Sequence, residues 1–260
     1  VLLECYWTSN AGNQLKICLL MPQEYPMMNR LLTLSVCFVM LGTLAGCTQE
    51  SKSTAKKVIE EVEISEDGDA ETGFQDIFDG KTLNGWEGNL DWFRVEDGAI
   101  IAGSLEKEIP NNEFLCTTSE HEDFELRLEA RLIGMDARNA GIQFRSMRIE
   151  DHHEVRGYQC DMGVIGENNI WGWMYDESRR RKFLVEAPQK PVVDHFKKDD
   201  WNEIVIRCEG PKIQISVNGV TTVDYTEEDP EIERSGIIGL QVHGGPAQEA
   251  SYRQIRIKSL

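Results

Sequence analysis

Beyond residue 73 the apolar positions recur at every second residue, the spacing of strands rather than of helices. The clearest run covers 123–132. Phe124, Leu126, Leu128, Ala130 and Leu132 share one side, and Glu125, Arg127, Glu129 and Arg131 share the other. Alternation this strict predicts a strand with one dry and one wet face. Residues 141–146, 201–208, 213–217, 220–225, 237–242 and 252–257 repeat the pattern, with two shorter strands at 92–95 and 99–102. Asn218-Gly219 is a type I′ hairpin signal, and Glu96-Asp97-Gly98 marks a second turn. No helical segment of convincing length follows residue 73. Short strands punctuated by turns predict an all-β fold, a two-sheet antiparallel sandwich of jelly-roll type.

The first part of the chain has a different texture. Met27-Met28-Asn29-Arg30 resembles a translational start, and Leu31–Leu41 is an apolar run too short to span a bilayer but suited to a signal peptide. Leu44-Ala45-Gly46-Cys47 then resembles a bacterial lipobox, whose cysteine thiol accepts a diacylglycerol. Four segments are therefore expected. Residues 1–26 are set aside as a mis-assigned upstream stretch, and 27–46 read as a lipoprotein signal. Residues 47–73 form an acidic tether lipidated at Cys47, and 74–260 form the folded domain. Thr48, where an inner-membrane retention signal would place aspartate, favours the outer membrane facing the periplasm. The membrane is then a partner through the lipid alone.

The formal net charge of −18 over 260 residues disfavours nucleic acid and anionic head groups as partners. It leaves neutral sugars open. Of the seven cysteines only Cys116, Cys160 and Cys208 fall in the folded domain, an odd number that does not suggest a disulfide scaffold. Cys208 alternates with Ile204 and Ile206 and reads as a core residue. No histidine or cysteine spacing matches a zinc site.

Several phrases recur in a characteristic order: Ile77-Phe78-Asp79-Gly80-Lys81-Thr82-Leu83-Asn84-Gly85-Trp86, Asn139-Ala140-Gly141-Ile142-Gln143-Phe144-Arg145, Gly157-Tyr158-Gln159-Cys160-Asp161, and Gly239-Leu240-Gln241-Val242-His243-Gly244. Together they resemble the domain of unknown function 1080 family, named for 3-keto-disaccharide hydrolase activity, over residues 74–260. The resemblance implies a concanavalin A-like sandwich and hydrolysis of a glycoside already oxidised to a ketone at C3. Many members of that family carry glutamate where this chain has Gln159. The Tyr175-Asp176-Glu177-Ser178-Arg179 segment is similar to a subset of them.

A ketone at C3 acidifies the hydrogen on C2, so cleavage by elimination needs a base near C2, a donor or cation at the C3 oxygen, and an acid for the leaving group. Asp161 and Glu177 are the carboxylate candidates. The i, i+2 pairs Gln143/Arg145, Gln159/Asp161 and Gln241/His243 would form a polar floor if their strands adjoin, with Arg145 or His243 steadying an oxyanion. Trp171, Trp173 and Tyr175 alternate and offer either a stacking surface for a pyranose or core. Tyr158, Arg179 and Arg180 complete the candidate binding residues. The sequence requires no cofactor and leaves a divalent cation open. The other class of function compatible with these residues is a non-catalytic, lectin-like carbohydrate-binding module.

Overall fold

The computed structural model describes residues 3–10, 13–20, 72–134 and 138–260. The lipobox-like Leu44–Cys47 and nearly all of the acidic tether lie outside these residues. Two compact units divide the chain, Val1–Glu63 and Ile64–Leu260. In the first, β1 (Leu3–Asn10) and β2 (Asn13–Leu20) pair as an antiparallel hairpin, within the stretch that the sequence set aside.

The second unit is the expected two-sheet antiparallel sandwich. Its first sheet contains β4 (Trp86–Glu87), β7 (Glu113–Thr117), β9 (Asn139–Arg148), β10 (Val155–Ile165), β11 (Asn168–Asn169), β12 (Met174–Glu177), β13 (Phe183–Val185) and β17 (Ile237–Val242). They lie in the order β13-β12-β10-β9-β17-β7-β4, with β11 on β10. The second sheet contains β3 (Gln75–Asp76), β5 (Phe93–Glu96), β6 (Ala99–Ser104), β8 (Phe124–Gly134), β14 (Asn202–Glu209), β15 (Lys212–Val217), β16 (Val220–Thr226) and β18 (Gln248–Ser259). Its order is β16-β15-β14-β8-β18-β6-β5, with β3 on β18.

The period-two pattern explains both layers. Leu126, Leu128 and Ala130 of β8 are buried, and so are Ile204 and Ile206 beside them on β14. From the first sheet Ile142, Phe144, Cys160 and Met162 enter the same core. Burying two such faces against each other removes apolar surface from water, the main driving force of the fold. Tyr252 of β18 crosses between the layers. Its hydroxyl donates to the carbonyl oxygens of Gln241 at 2.6 Å and Gly141 at 3.1 Å, fixing β17 and β9 from beneath. Asn218 and Gly219 both have positive φ, 49° and 78°, as the type I′ turn between β15 and β16 demands. Asp97 and Gly98, at 50° and 75°, make the same turn between β5 and β6. The three domain cysteines are buried and free.

One helix and the strands β3, β4, β7, β11 and β13 were not foreseen. Gln189–His195 forms a short helix, α1, which starts after Pro188 and buries Val192.

Candidate functional site

Pairing places the outward-facing residues of the first sheet in rows. Asp161 of β10 lies opposite Gly141 of β9, Gly141 opposite Gln241 of β17, and Gln241 opposite Phe114 of β7. The neighbouring row runs Tyr175, Gln159, Gln143, Gly239 and Cys116. Three of the expected polar strands therefore do adjoin.

A directional hydrogen-bond chain runs along this floor. Ser146 Oγ donates to Gln143 Oε1 at 2.8 Å, Gln143 Nε2 donates to Gln159 Oε1 at 2.6 Å, and Gln159 Nε2 donates to Asp161 Oδ1. All the members are buried, so each bond forms away from competing water and holds its neighbour's rotamer. Gly141 permits the arrangement: a Cβ there would lie 2.6 Å from Gln159 Cδ.

Above Asp161 opens a cavity of about 330 Å³, within the size range of small-molecule sites. Asp161, Glu177, His243, Asn112 and Asn139 supply polar groups, and Tyr175 and Phe183 an aromatic side. Burial pushes the Asp161 carboxyl up to about 8, opposed by the Gln159 hydrogen bond and helped by the charge of Glu177. Glu177 is also raised, by burial and then by the charge of Glu154, while Ser178 and Arg181 act the other way. Two carboxyls held above their ordinary range in one cavity suit proton transfer. His243 Nδ1 lies 2.6 Å from the Gly244 carbonyl oxygen. If Nδ1 carries the proton of that bond, Nε2 of a neutral ring is left as an acceptor.

A strap crosses the outer face beside the cavity and touches its lining at Asn112. The turn at 149–154 joins β9 to β10, and Val155 packs with Phe114 and Cys116 of β7. Two strands separate β10 from β7, so this contact requires the end of the β9–β10 hairpin to fold across the outer face. Paired irregularities explain the fold-over. Arg145 has φ 44°, where the β17 pairing skips a residue, and Gly157 has φ 145°, where the β10 pairing shifts. Asn112 Nδ2 donates to Glu154 Oε1 at 3.0 Å, and His153 Nδ1 lies 3.1 Å from the Asn112 carbonyl oxygen. Arg148 donates to Glu87 Oε1 at 2.8 Å and secures the other side.

The irregularity at Arg145 corrects one expectation. The extra residue shifts the alternation, so Ser146 follows Gln143 outward and Arg145 turns inward. Its guanidinium donates to the Glu122 carbonyl at 2.9 Å, the Gly210 carbonyl at 2.7 Å and Asp123 Oδ1 at 2.8 Å. It ties the two sheets together and does not line the cavity.

Tyr158, Arg179 and Arg180 also lie elsewhere. Tyr158 belongs to the core, and its hydroxyl donates to Glu227 Oε2 at 2.6 Å. Arg179 stacks over its ring at 4.5 Å and pairs with Asp176, while Arg180 bridges Asp176 and Glu227. These residues brace β12 from behind, because Asp176 points opposite to Tyr175 and Glu177.

The tryptophans do not share a strand face with Tyr175, since β12 begins only at Met174. Gly172, at φ 77° and close against Thr222, turns the chain and sends Trp171 onto Phe196, ring to ring at 5.0 Å. Trp173 is buried edge-on to Phe183 at 5.1 Å. Gln241 is fully buried on the floor but is not a cavity-lining residue.

Asn112, Asn139, Ile165, Phe183 and the strap residue Glu154 were not singled out from the sequence. Asn139 sat in a quoted phrase; the others lie at strand ends and turns with no local signal. Among the described residues no group of three or more His, Cys, Asp or Glu is arranged to hold a metal, so the cation left open by the sequence receives no ligand set from them.

Residues 73–258 match the sequence model of the 3-keto-alpha-glucoside-1,2-lyase-like domain. No curated protein matches the chain. Among solved structures it is similar to a candidate glycosyl hydrolase from Parabacteroides distasonis, at 16% identity and a TM-score of 0.54, over 76% of this chain and 98% of that one. It is similar also to the carbohydrate-binding module CBM66 from Bacillus subtilis, at 14% identity and a TM-score of 0.50, over 67% and 96%. A protein of unknown function with a galectin-like fold from Bacillus subtilis matches at 9% identity and a TM-score of 0.51, over 68% and 90%. At such identities the likeness shows the fold alone, a sandwich used by glycosyl hydrolases and carbohydrate-binding modules.

Proposed function

Since the chain belongs to the 3-keto-alpha-glucoside-1,2-lyase-like family, we propose that it cleaves glycosides carrying a ketone at C3, by proton removal at C2, elimination of the C1 oxygen and addition of water. The observation that carries this reading is the pairing of Asp161 and Glu177, both raised, in one cavity with His243.

The two carboxyls divide the work. Glu177, less buried, is the base that takes the C2 proton, and the C2–H electrons form an enolate on the C3 oxygen. Asp161, protonated at neutral pH, is the acid. The enolate collapses, the C1–C2 double bond forms, and the C1–O bond breaks as the leaving oxygen takes the Asp161 proton. Asp161, now a carboxylate, draws a proton from water as the water oxygen bonds to C1. Glu177 exchanges its proton with water and delivers a solvent-derived proton to C2, so the net change is hydrolysis.

With Arg145 turned inward, the enolate oxygen is stabilised by neutral donors, the amide of Asn139 and the hydroxyl of Tyr175. Tyr175 and Phe183 stack on the apolar face of the sugar. His243 Nε2 holds the incoming water. Lipidation of Cys47 would carry the domain to the envelope, where exported sugars meet it.

Incubation with a 3-keto-glucoside and with the unoxidised glucoside tests the reading. Cleavage of the oxidised compound alone is expected. Equal cleavage of both would overturn the elimination, and cleavage of neither with retained sugar binding would assign the cleft to recognition only.

A further inference from the structure

The hydrogen-bond chain on the floor of the site has a direction, and that direction bears on where Asp161 keeps its proton. An amide can be turned end for end, since it carries a donor on one side and an acceptor on the other. Here Asp161 Oδ1 accepts from Gln159 Nε2. Gln159 Oε1 is in turn held by Gln143 Nε2 at 2.6 Å, and Gln143 Oε1 by the Ser146 hydroxyl at 2.8 Å. No hydrogen bond reaches Asp161 Oδ2 among the described residues, and Asp161 lines the cavity.

Ser146 is the anchor. Its single proton has three acceptors in reach: Gln143 Oε1 at 2.8 Å, the Phe144 carbonyl at 3.0 Å and the Tyr158 carbonyl at 3.3 Å. With the proton on Gln143, the shortest contact, each amide turns its N–H toward Asp161. With the proton on a carbonyl, Ser146 would accept from Gln143, and the chain would run backwards to set Gln159 Oε1 against Asp161. An ionised Asp161 has no proton to give that oxygen, so only the forward chain serves both of its states. Two irregularities put the anchor in place. The extra residue in β9 brings Ser146 outward beside Gln143, and Gly157 leaves room for it, since a Cβ there would lie 2.3 Å from Ser146 Oγ.

We propose that Ser146, Gln143 and Gln159 are positioning residues that hold Asp161 Oδ1 as an acceptor and so keep the acid's proton on Oδ2, facing the cavity. This rests on the function proposed above. The same bond serves the carboxylic acid, where Oδ1 is the carbonyl oxygen, and the carboxylate left once the proton has gone to the leaving oxygen. No amide has to turn during the cycle, so the site is organised before the reaction begins. The titratable groups around Asp161 are Glu177 and Tyr175 of β12, His243 beyond β17 and Cys160 beside it on β10. None of them hydrogen-bonds to the Asp161 carboxyl among the described residues, so its orientation falls to Gln159.

Carbon-13 NMR titration of the Asp161 carboxyl in the full chain, assigned with Asp161→Asn, tests the wire without needing turnover. Gln143→Leu and Ser146→Ala are compared with the wild type. Either change frees the amides to invert; Gln159 Oε1 then takes the Asp161 proton, and the protonated form is favoured. The midpoint should therefore rise above the wild-type value of about 8. A rise of about one pH unit is expected, the order of one hydrogen bond exchanged at a carboxyl. Turnover of a 3-keto-glucoside at pH 7 should fall about tenfold, because the proton no longer faces the leaving oxygen, and the alkaline limb should move up with the midpoint. Simple loosening of the floor would admit water, relieve the burial and lower the midpoint instead. A midpoint that falls or stays put in either folded variant overturns the wire. Should Gln143→Leu fail to fold, Ser146→Ala decides alone. Midpoints that rise in a protein that cleaves no 3-keto-glucoside support the wire and reject the reaction separately.

Discussion

Glu177→Gln and Asp161→Asn are each expected to lower turnover of a 3-keto-glucoside by about 10²-fold or more, the usual loss when a positioned base or acid is removed. The two substitutions should differ in their pH signatures. Glu177 must be ionised to act, and its raised value sets the acid limb of the wild-type profile. Asp161 must be protonated, so activity should decline as pH rises through about 8. That alkaline limb should disappear from the residual activity of Asp161→Asn.

Stability should fall with the same rise in pH. The folded state holds the Asp161 proton more tightly than the unfolded state does, mainly through burial. Its contribution is fully present below the ordinary aspartate value and is lost as pH rises through about 8. Asparagine has no such dependence, so the melting temperature of Asp161→Asn should gain on the wild type as pH rises. Calorimetry between pH 4 and 9 checks this. An unchanged rate in both variants would remove these residues from the reaction.

Arg145→Ala is expected to destabilise the domain by about 3 kcal/mol, the order seen when one partner of a buried charged cluster is removed. The side chain is 1% exposed, and its loss removes the ion pair to Asp123 and the hydrogen bonds to two carbonyl oxygens that link the sheets. Denaturant unfolding measures that loss. Turnover per folded molecule should stay near the wild-type value. A stable variant with abolished turnover would return Arg145 to the cavity.

Arg145 also shows where the sequence stops being legible. Strict alternation correctly exposes the strands, since the side-chain period of two is a property of each chain segment alone. From it came the sandwich and the placing of Asp161 with Gln159 on one strand face, while the adjoining of the polar strands was left open. A single extra residue in β9 inverts the parity without changing composition, and Arg145 then leaves the face of Gln143. Gly172 acts similarly on the Trp171, Trp173 and Tyr175 series, because positive φ at one position redirects every side chain around it.

The strap was still less visible. Glu154 reaches the site through Asn112, which lies 42 residues earlier in the chain, and no local pattern encodes such a pairing. Phe183 likewise joins Tyr175 only because β13 pairs with β12. The floor of the site is thus written in alternation, and its flanking strap and aromatic side in tertiary contacts.

Removal of the C2 proton at this cleft is tested most directly by running the reaction in deuterium oxide and reading C2 of the product by NMR. Spectra are taken early, before the free ketone exchanges by itself. Deuterium at C2 in the wild-type reaction, appearing with C1–O cleavage and suppressed together with it in Glu177→Gln, is the expected result. Cleavage that leaves the original protium at C2 would contradict the elimination.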